Sequence, residues 1–190
     1  MATLGRQPVT MSSSTCFTAL VLATGLLVGC STAPATTAER DELTRSAMAE
    51  RQEWDKLDPG LAALAKKSYG YAFFPDVAKG GLVVGGAYGR GIVVEQGKQI
   101  GYADLTQGTF GLQVGGQTYS ELIVFESKAA LERFKQSPVD FGANATAVIA
   151  TTGAATNARF VDGVAVFVRP KVGAMAEASL GGQRMTYVPK

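Results

Sequence analysis

Glycine-rich segments with β-branched neighbours constrain the fold more than any other feature of this sequence. Gly81-Leu-Val-Val-Gly-Gly86 recurs thirty residues later as Gly111-Leu-Gln-Val-Gly-Gly116. The chain has 23 glycines in 190 residues, well above the usual share of roughly 7%. Because glycine permits a bulge or a sharp corner in a strand, each copy is interpreted as a strand, a Gly-Gly kink and a second strand. The pattern therefore predicts a strongly bent sheet.

Two other structures that use closely spaced glycines are excluded by the neighbouring residues. The small-residue spacing of Gly81, Gly85 and Gly89 fits packed membrane helices, but the apolar stretch between Lys79 and Arg90 is about half of a membrane span. No Gly-x-x-x-x-Gly-Lys-Ser/Thr occurs, and β-branched residues follow the glycines where a phosphate loop needs a helix. The segment is therefore predicted to be strand, and no nucleotide site is expected.

Sequence patterns typical of helices occur before the glycine-rich part of the chain and at one place within it. Residues 39–56 are rich in helix formers, and Asp58-Pro59 is typical of an N-cap and first helical position. Ser127 predicts the cap of a mid-chain helix, and Gln96-Gly97-Lys98 predicts a hairpin turn. The predicted strand segments are 69–75, 82–84, 92–94, 122–125, 161–168, 172–178 and 184–188. The predicted fold is α+β: a strongly bent, largely antiparallel, barrel-like sheet with N-terminal helices and one mid-chain helix.

The first thirty residues indicate export. Residues 17–28 form an apolar run of signal-peptide length, and Leu27-Val-Gly-Cys30 resembles a bacterial lipobox. The expected organisation is a lipoprotein signal peptide at 1–29, an acylated Cys30 with a flexible tether at 30–38, and a domain at 39–190. The alternative is an ordinary secretory signal that contains a cysteine. The initiator is either Met1 or Met11. Arg6 is the single positive charge of the signal, and a start at Met11 would leave the signal without one.

The composition excludes several kinds of chemistry. The chain has no histidine, which removes Ser-His-Asp and Cys-His catalysis and the commonest transition-metal ligand. After cleavage 17 Lys and Arg face 16 Asp and Glu, so no nucleic-acid footprint is expected. We predict no enzyme activity, no cofactor and no metal. A hydrolase that uses carboxylates remains a third alternative, with acids scattered at Asp76, Asp104, Asp140 and Asp162.

Four segments of the chain carry a resemblance to a known family: Tyr71-Ala-Phe-Phe-Pro75, Lys79 to Gly86 with Gly89-Arg-Gly91, Gly108 to Gln117, and Val172 to Gly182. They resemble, in the family's order, the SYLF domain, a lipid-binding module also known as an actin-binding domain of yeast endocytic proteins. The resemblance covers about residues 55–190. One departure is Gly101-Tyr-Ala-Asp104, which stands where the family often has Trp-Ser-x-Pro and resembles the bacterial lipoprotein branch.

The resemblance implies binding to anionic phospholipid through basic residues. Carried over by position, the headgroup-binding candidates are Lys66, Lys67, Lys79 and Arg90, of which the last two lie inside matching segments. The expected protein is anchored by Cys30 in the bacterial envelope, in the outer membrane facing the periplasm, because no Asp follows the cysteine. The alternative is a structural or protein-interaction lipoprotein that contacts the membrane only through its acyl anchor and binds another envelope protein.

Overall fold

The computed structural model describes residues 34–136, 139–141 and 147–190. The predicted signal peptide, Cys30 and the start of the tether lie outside these residues. From Pro34 onward the described residues belong to one compact unit, Ser31–Lys190. The elements follow in this order: α1 Thr37–Leu57, α2 Pro59–Lys67, β1 Gly70–Gly81, β2 Val84–Glu95, β3 Lys98–Phe125, α3 Lys128–Gln136, β4 Val139–Phe141, β5 Val148–Ile149, a 3-10 turn at Ala154–Asn157, and β6 Val164–Pro189.

The helices begin where side-chain caps satisfy their first N–H groups. A capping box between Thr36 and Glu39 opens α1, and Asp58 caps α2 with Pro59 in its first turn, as the sequence predicts. The Ser127 hydroxyl accepts the Ala130 N–H at 3.3 Å at the start of α3. All three predicted helices are confirmed, with α1 two residues longer at its start than the helix formers indicated.

Asp58 joins α2 to a distant part of the chain, and its replacement gives a first prediction. Its carboxylate is 3% exposed and accepts the N–H groups of Gly60 at 2.9 Å and Ala155 at 3.1 Å. Asp58→Ala leaves both donors without this acceptor and is expected to lower the free energy of unfolding by about 2 kcal/mol. Asp58→Asn keeps one acceptor oxygen and is expected to cost about half as much. Urea unfolding measures both, and equal stability of the alanine variant and the wild type would contradict the expectation.

The sheet is built around two very long strands. β3 has 28 residues and β6 has 26, and they pair antiparallel from Gly101 to Phe125 of β3. The first half of β3 pairs with β2 and the second half with β1, while β1 and β2 pair with each other. The hairpin of β1 and β2 therefore lies between the two halves of β3, which requires β3 and β6 to bend around it.

The fold class is confirmed as α+β with a largely antiparallel sheet. The one parallel pairing is β5 with β6. The barrel-like description needs a correction: among the described residues the sheet does not close, since β4 and β5 each pair with β6 and not with each other. Both are very short strands, so neither offers enough backbone to continue the ladder to the other.

Glycine conformations account for the bend and correct its predicted position. Gly111 and Gly115 have φ values of 144° and 122° inside β3, and Gly111 lies where the β2 pairing ends. In the first copy of the repeat the turn lies at Leu82 and Val83, between β1 and β2, and Gly85-Gly86 continues β2 as regular strand. The two copies thus adopt different conformations, because the first sits at a hairpin end and the second inside a continuous strand.

Two further predictions about strand ends have different outcomes. The hairpin at Gln96-Gly97 is confirmed. The φ values of these residues, 46° and 80°, fit a two-residue type I′ turn, which needs positive φ at both central positions. Pro75 was predicted to end the first strand, but β1 continues to Gly81. The pairing with β2 and β3 shifts register at this proline, because a bulge accommodates the missing N–H.

Apolar residues form one core on each face of the sheet. On the convex face α1 and α2 cover the sheet, with Trp54 and Leu61 among Phe73, Leu122 and Phe167. The concave core contains Phe74, Ile123 and Phe125, and α3 contributes to it. The N-terminal helices therefore cover the sheet, which is the commoner fate of an amphipathic helix and the one the sequence favoured. They cover only the half of the convex face that starts at Gly70.

Candidate functional site

At the end of the sheet away from Gly70, two long segments lack charged residues. Residues 80–89 and 105–120 contain no Asp, Glu, Lys or Arg. The strand register brings these segments together, because Gly80 of β1 lies opposite both Gly86 of β2 and Gly116 of β3. Protein surfaces usually carry about 25% charged residues. Two uncharged segments side by side, with Glu177 of β6 as a charged neighbour opposite Gln113, therefore indicate that this end meets something other than bulk water.

Large apolar side chains are exposed at this end and form what we call the apolar rim. Val84 lies opposite Phe110, and the Gly111 N–H donates to the Val83 carbonyl at 3.0 Å, which brings the hairpin turn onto the bend of β3. Single exposed apolar residues are common, whereas a contiguous group marks an interaction surface. The rim and its exposed fractions are Leu82 63%, Val83 51%, Val84 68%, Phe110 69% and Val114 61%.

The four predicted headgroup-binding cations do not come together. Lys66 and Lys67 are exposed in the last turn of α2, whereas Lys79 is half-buried near the far end of β1. Gly70 and Lys79 are nine strand residues apart, which corresponds to about 30 Å. Arg90 lies between them, half-buried on β2 beside the start of α1. Lys66 and Lys67 therefore do not form one compact cationic cluster with Lys79.

Lys66 and Lys67 line a groove of about 790 Å³ between α1, α2 and the end of the sheet. Arg51 lines it too, but its guanidinium is 2.7 Å from the Asp55 carboxylate and lies over the Tyr71 ring at 5.7 Å. Burial raises the pKa of Tyr71, and the nearby Arg51 partly opposes this rise. With Arg51 neutralised by Asp55, the two lysines carry the positive charge of this groove.

A second groove, of about 620 Å³, lies between the start of α1 and the uncovered part of the sheet. Its acidic residues all have partners. Glu39 caps α1, and the Thr36 and Ala35 N–H groups lower its pKa. Glu42 lies 2.7 Å from Arg45, and Asp76 lies 2.6 Å from Lys171. These three carboxylates therefore hold structural contacts at the edge of this groove.

Glu121 is a buried acid that was not among the residues predicted to form a site. It lies on the concave face of β3 and is 1% exposed. Its Oε2 accepts the Gln183 amide at 2.9 Å, while Oε1 has no hydrogen-bond partner in the described part of the chain. Burial raises its pKa to about 7, and the Gln183 hydrogen bond acts in the opposite direction. The contact joins β3 to the far half of β6 across the concave side of the bend.

The described residues hold neither a cluster of metal-ligating side chains nor a helix that could span a membrane. In residues 34–136, 139–141 and 147–190 there is no group of three or more metal-ligating side chains. Within the same residues, no helix combines the length and the apolar character needed to cross a membrane.

A family comparison covers the second half of the chain. Residues 106–187 match the sequence model of the Ysc84 family, described as Las17-binding protein actin regulator. This part of the chain is therefore similar to the SYLF domain family. No curated protein sequence matches the chain. The SYLF resemblance is thus confirmed for the part that begins in β3, whereas membership of a bacterial lipoprotein branch stays a prediction.

The Ysc84 match includes Phe110 and Val114 of the apolar rim and Glu121, and it begins after Lys66, Lys67, Lys79 and Arg90. Sequence reasoning assigned the site to these four cations and missed the rim. The available signal was the absence of charge in 80–89 and 105–120. That signal became informative only once the strand register placed both segments at one end.

Proposed function

We propose that this protein is a lipid-anchored bacterial envelope protein whose Ysc84 domain binds anionic phospholipid at a membrane surface. The single observation that carries the domain's part is the exposed apolar rim, which lies in the uncharged segments 80–89 and 105–120. Fully burying one large apolar side chain contributes about 1.5–3 kcal/mol. Several such side chains at one protruding end supply the favourable free energy for entering the boundary between headgroups and acyl chains, which extends about 5–10 Å into a bilayer.

Lys79 supplies the preference for anionic lipid in this proposal. It lies in β1, three residues before Leu82 in the turn that follows the strand, so about 10 Å of extended chain separates the two. With the rim inserted, Lys79 lies at the level of the headgroups, where one cation contributes about 1 kcal/mol of attraction to an anionic membrane. Lys66 and Lys67 then face away from the bilayer. In the competing arrangement these two lysines contact the headgroups and the rim faces away.

Cys30 completes the proposal as the anchor. It precedes Pro34 by four residues, so an acyl group on its thiol lies within about 14 Å of chain length from the folded domain. Acylation also accounts for the one cysteine that remains after signal cleavage, since an exported protein with a single thiol has no disulfide partner for it. Ser31 after the cysteine supports a location in the outer membrane, facing the periplasm.

Co-sedimentation with vesicles tests the domain's part without the anchor, using a chain that starts at Ser31. Vesicles of phosphatidylglycerol with phosphatidylcholine are compared with phosphatidylcholine alone. The combined Leu82→Ser, Val84→Ser and Phe110→Ser variant is expected to bind anionic vesicles at least about tenfold more weakly, because each change removes apolar surface from the bilayer boundary. The matched control is Ile149→Ser, which is 59% exposed on β5 and is expected to bind as wild type.

The same assay determines which end of the domain contacts the membrane. Lys66→Glu with Lys67→Glu is expected to change binding less than twofold if the rim contacts the membrane. Loss of binding in this variant, with the rim variant unchanged, would move the contact to the helix end. Absence of binding to either vesicle would favour the structural or protein-interaction lipoprotein, with Cys30 as its membrane contact.

A further inference from the structure

Towards the apolar rim the two faces of the sheet reverse their usual polarity. Up to Val77 of β1 and Leu105 of β3 the concave side is an apolar core. Residues two positions further along a strand point to the same face, and there the concave side is polar. An antiparallel sheet normally has its apolar residues on the inward face and its polar residues outside. The half-buried polar residues form one row in the register: Gln117, Lys79, Gln107 and Gln183.

The convex side of the same strands is exposed and carries apolar side chains. Tyr88 and Thr118 line the groove beside α1, and Val172 lies opposite Thr118. Tyr88 is 39% exposed and Val172 is 74% exposed. Val84 of the rim is four residues from Tyr88 on β2, so both point to the convex face. Exposed apolar residues therefore continue from the rim along one face, and a contiguous group of this kind marks an interaction surface.

The chain enters the domain on this convex side. The Arg40 Nε donates to the Pro34 carbonyl at 3.0 Å, and the Arg40 guanidinium lies over the ring of Tyr102, which belongs to the convex core. Tyr102 and Phe110 are eight strand residues apart, about 26 Å. If only the tip of the rim entered a bilayer, by about 5–10 Å, the tether from Cys30 to Pro34 would need its full length of about 14 Å. A lean towards the convex side shortens the distance that the tether has to span.

We propose that the bilayer contact extends from the apolar rim along the convex face to the row of Tyr88 and Val172, while the concave row stays in water. The inference rests on the proposed function, because it adds an orientation to the same contact. Tyr88 lies about 13 Å from Val84 along β2, which places its ring at the level of the headgroups, where tyrosine is enriched. Lys79 lies at a similar level on the concave side and attracts anionic headgroups from there, within the screening length of about 10 Å.

Charged residues stand at the borders of this contact. Towards α1, Glu39, Glu42 and Asp76 line the groove beside Tyr88. At β6 the Tyr88 row ends with Arg184, which lies opposite Asp140 of β4. Because carboxylates repel anionic headgroups, the contact is expected to stop at the Tyr88 row and to leave α1 in water.

Single-cysteine labelling tests the orientation, because a chain that starts at Ser31 contains no cysteine of its own. Val172→Cys and Gln117→Cys form a matched pair. Gln117 is next to Thr118, which lies opposite Val172, so the two labels are at one level on opposite faces. Tyr88→Cys and Gln107→Cys form a second pair, since Gln107 is next to Thr106, which lies opposite Tyr88. Val84→Cys reports on the rim.

Each variant carries an environment-sensitive nitrobenzoxadiazole label and is mixed with phosphatidylglycerol and phosphatidylcholine vesicles that contain a nitroxide-labelled lipid. The label at Val84 is expected to be quenched most, because it enters the bilayer deepest. The labels at Val172 and Tyr88 are expected to be quenched at least about threefold more than those at Gln117 and Gln107, which stay outside the boundary region. Circular dichroism confirms that each labelled variant is folded.

The outcomes distinguish failure of the orientation from failure of the proposed function. Equal quenching on the two faces would overturn the orientation and leave an upright insertion of the rim. Quenching at Val84 with none at Val172 and Tyr88 would also overturn it, because the contact would then end at the rim. Absence of quenching at every position, Val84 included, would contradict the proposed function and the orientation with it.

Discussion

Replacing Trp54 with alanine is expected to lower the free energy of unfolding by about 4 kcal/mol. Trp54 is fully buried on the face of α1 that covers the sheet, and its ring meets Phe73 edge-on at 5.6 Å between centroids. Its indole N–H donates to the Ser120 hydroxyl at 3.0 Å, and Ser120 donates to Glu50 at 2.9 Å. Removing a large aromatic side chain from a core typically costs about 3–5 kcal/mol, and here the Ser120 hydroxyl also loses a donor.

Trp54→Phe separates packing from hydrogen bonding. Phenylalanine keeps an aromatic ring against Phe73 and loses the donor to Ser120, so a cost of about 1–2 kcal/mol is expected. Urea unfolding followed by circular dichroism measures both variants, because Trp54 is the one tryptophan of the chain and its fluorescence is lost. Met48→Ala is the control on the same helix; Met48 is 41% exposed. If Trp54→Ala stayed within 1 kcal/mol of wild type, α1 would not be held by this contact.

Glu121→Gln is expected to stabilise the protein at pH 8 by about 3 kcal/mol more than at pH 4. The buried carboxyl has a pKa of about 7 in the folded chain, against an ordinary value of 4.5. The folded state therefore binds its proton more tightly than the unfolded state. The contribution of Glu121 to wild-type stability therefore falls as pH rises from about 4.5 to about 7. Above that pH this contribution is constant, because the carboxylate is then ionised in both states. A difference of one pKa unit corresponds to about 1.4 kcal/mol.

Glutamine at this position removes the titration and keeps an oxygen that accepts the Gln183 amide. Urea unfolding of wild type and variant at several pH values gives the effect as a difference, in which the other titrating groups cancel. Glu126→Gln is the matched control, since Glu126 is exposed one residue beyond the end of the same strand. The interpretation fails if the difference between wild type and Glu121→Gln is the same at pH 4 and pH 8.

Local chemistry in the sequence determined the helices, the hairpin turn at Gln96-Gly97 and the α+β class. Caps and turns act over three or four residues, so Asp58, Pro59 and Ser127 specify their helices without reference to the rest of the chain. The similarity to the Ysc84 family could also be predicted from the sequence, because it depends on short segments that occur in the family's order. The lipoprotein signal at Cys30 remains a prediction from the same kind of local pattern.

The site depended on contacts that no local pattern contains. Lys66 and Lys79 are thirteen positions apart in sequence, but a straight strand separates them by about 30 Å. Val84 and Phe110 are twenty-six positions apart, and antiparallel pairing makes them neighbours. The bend of β3 and β6 brings the Gln183 side chain to Glu121, although the register pairs Glu121 with Val168, and burial raises the pKa of Glu121. The sequence by itself determined which residues form helix, strand and turn, whereas tertiary pairing alone decided which of them share a surface.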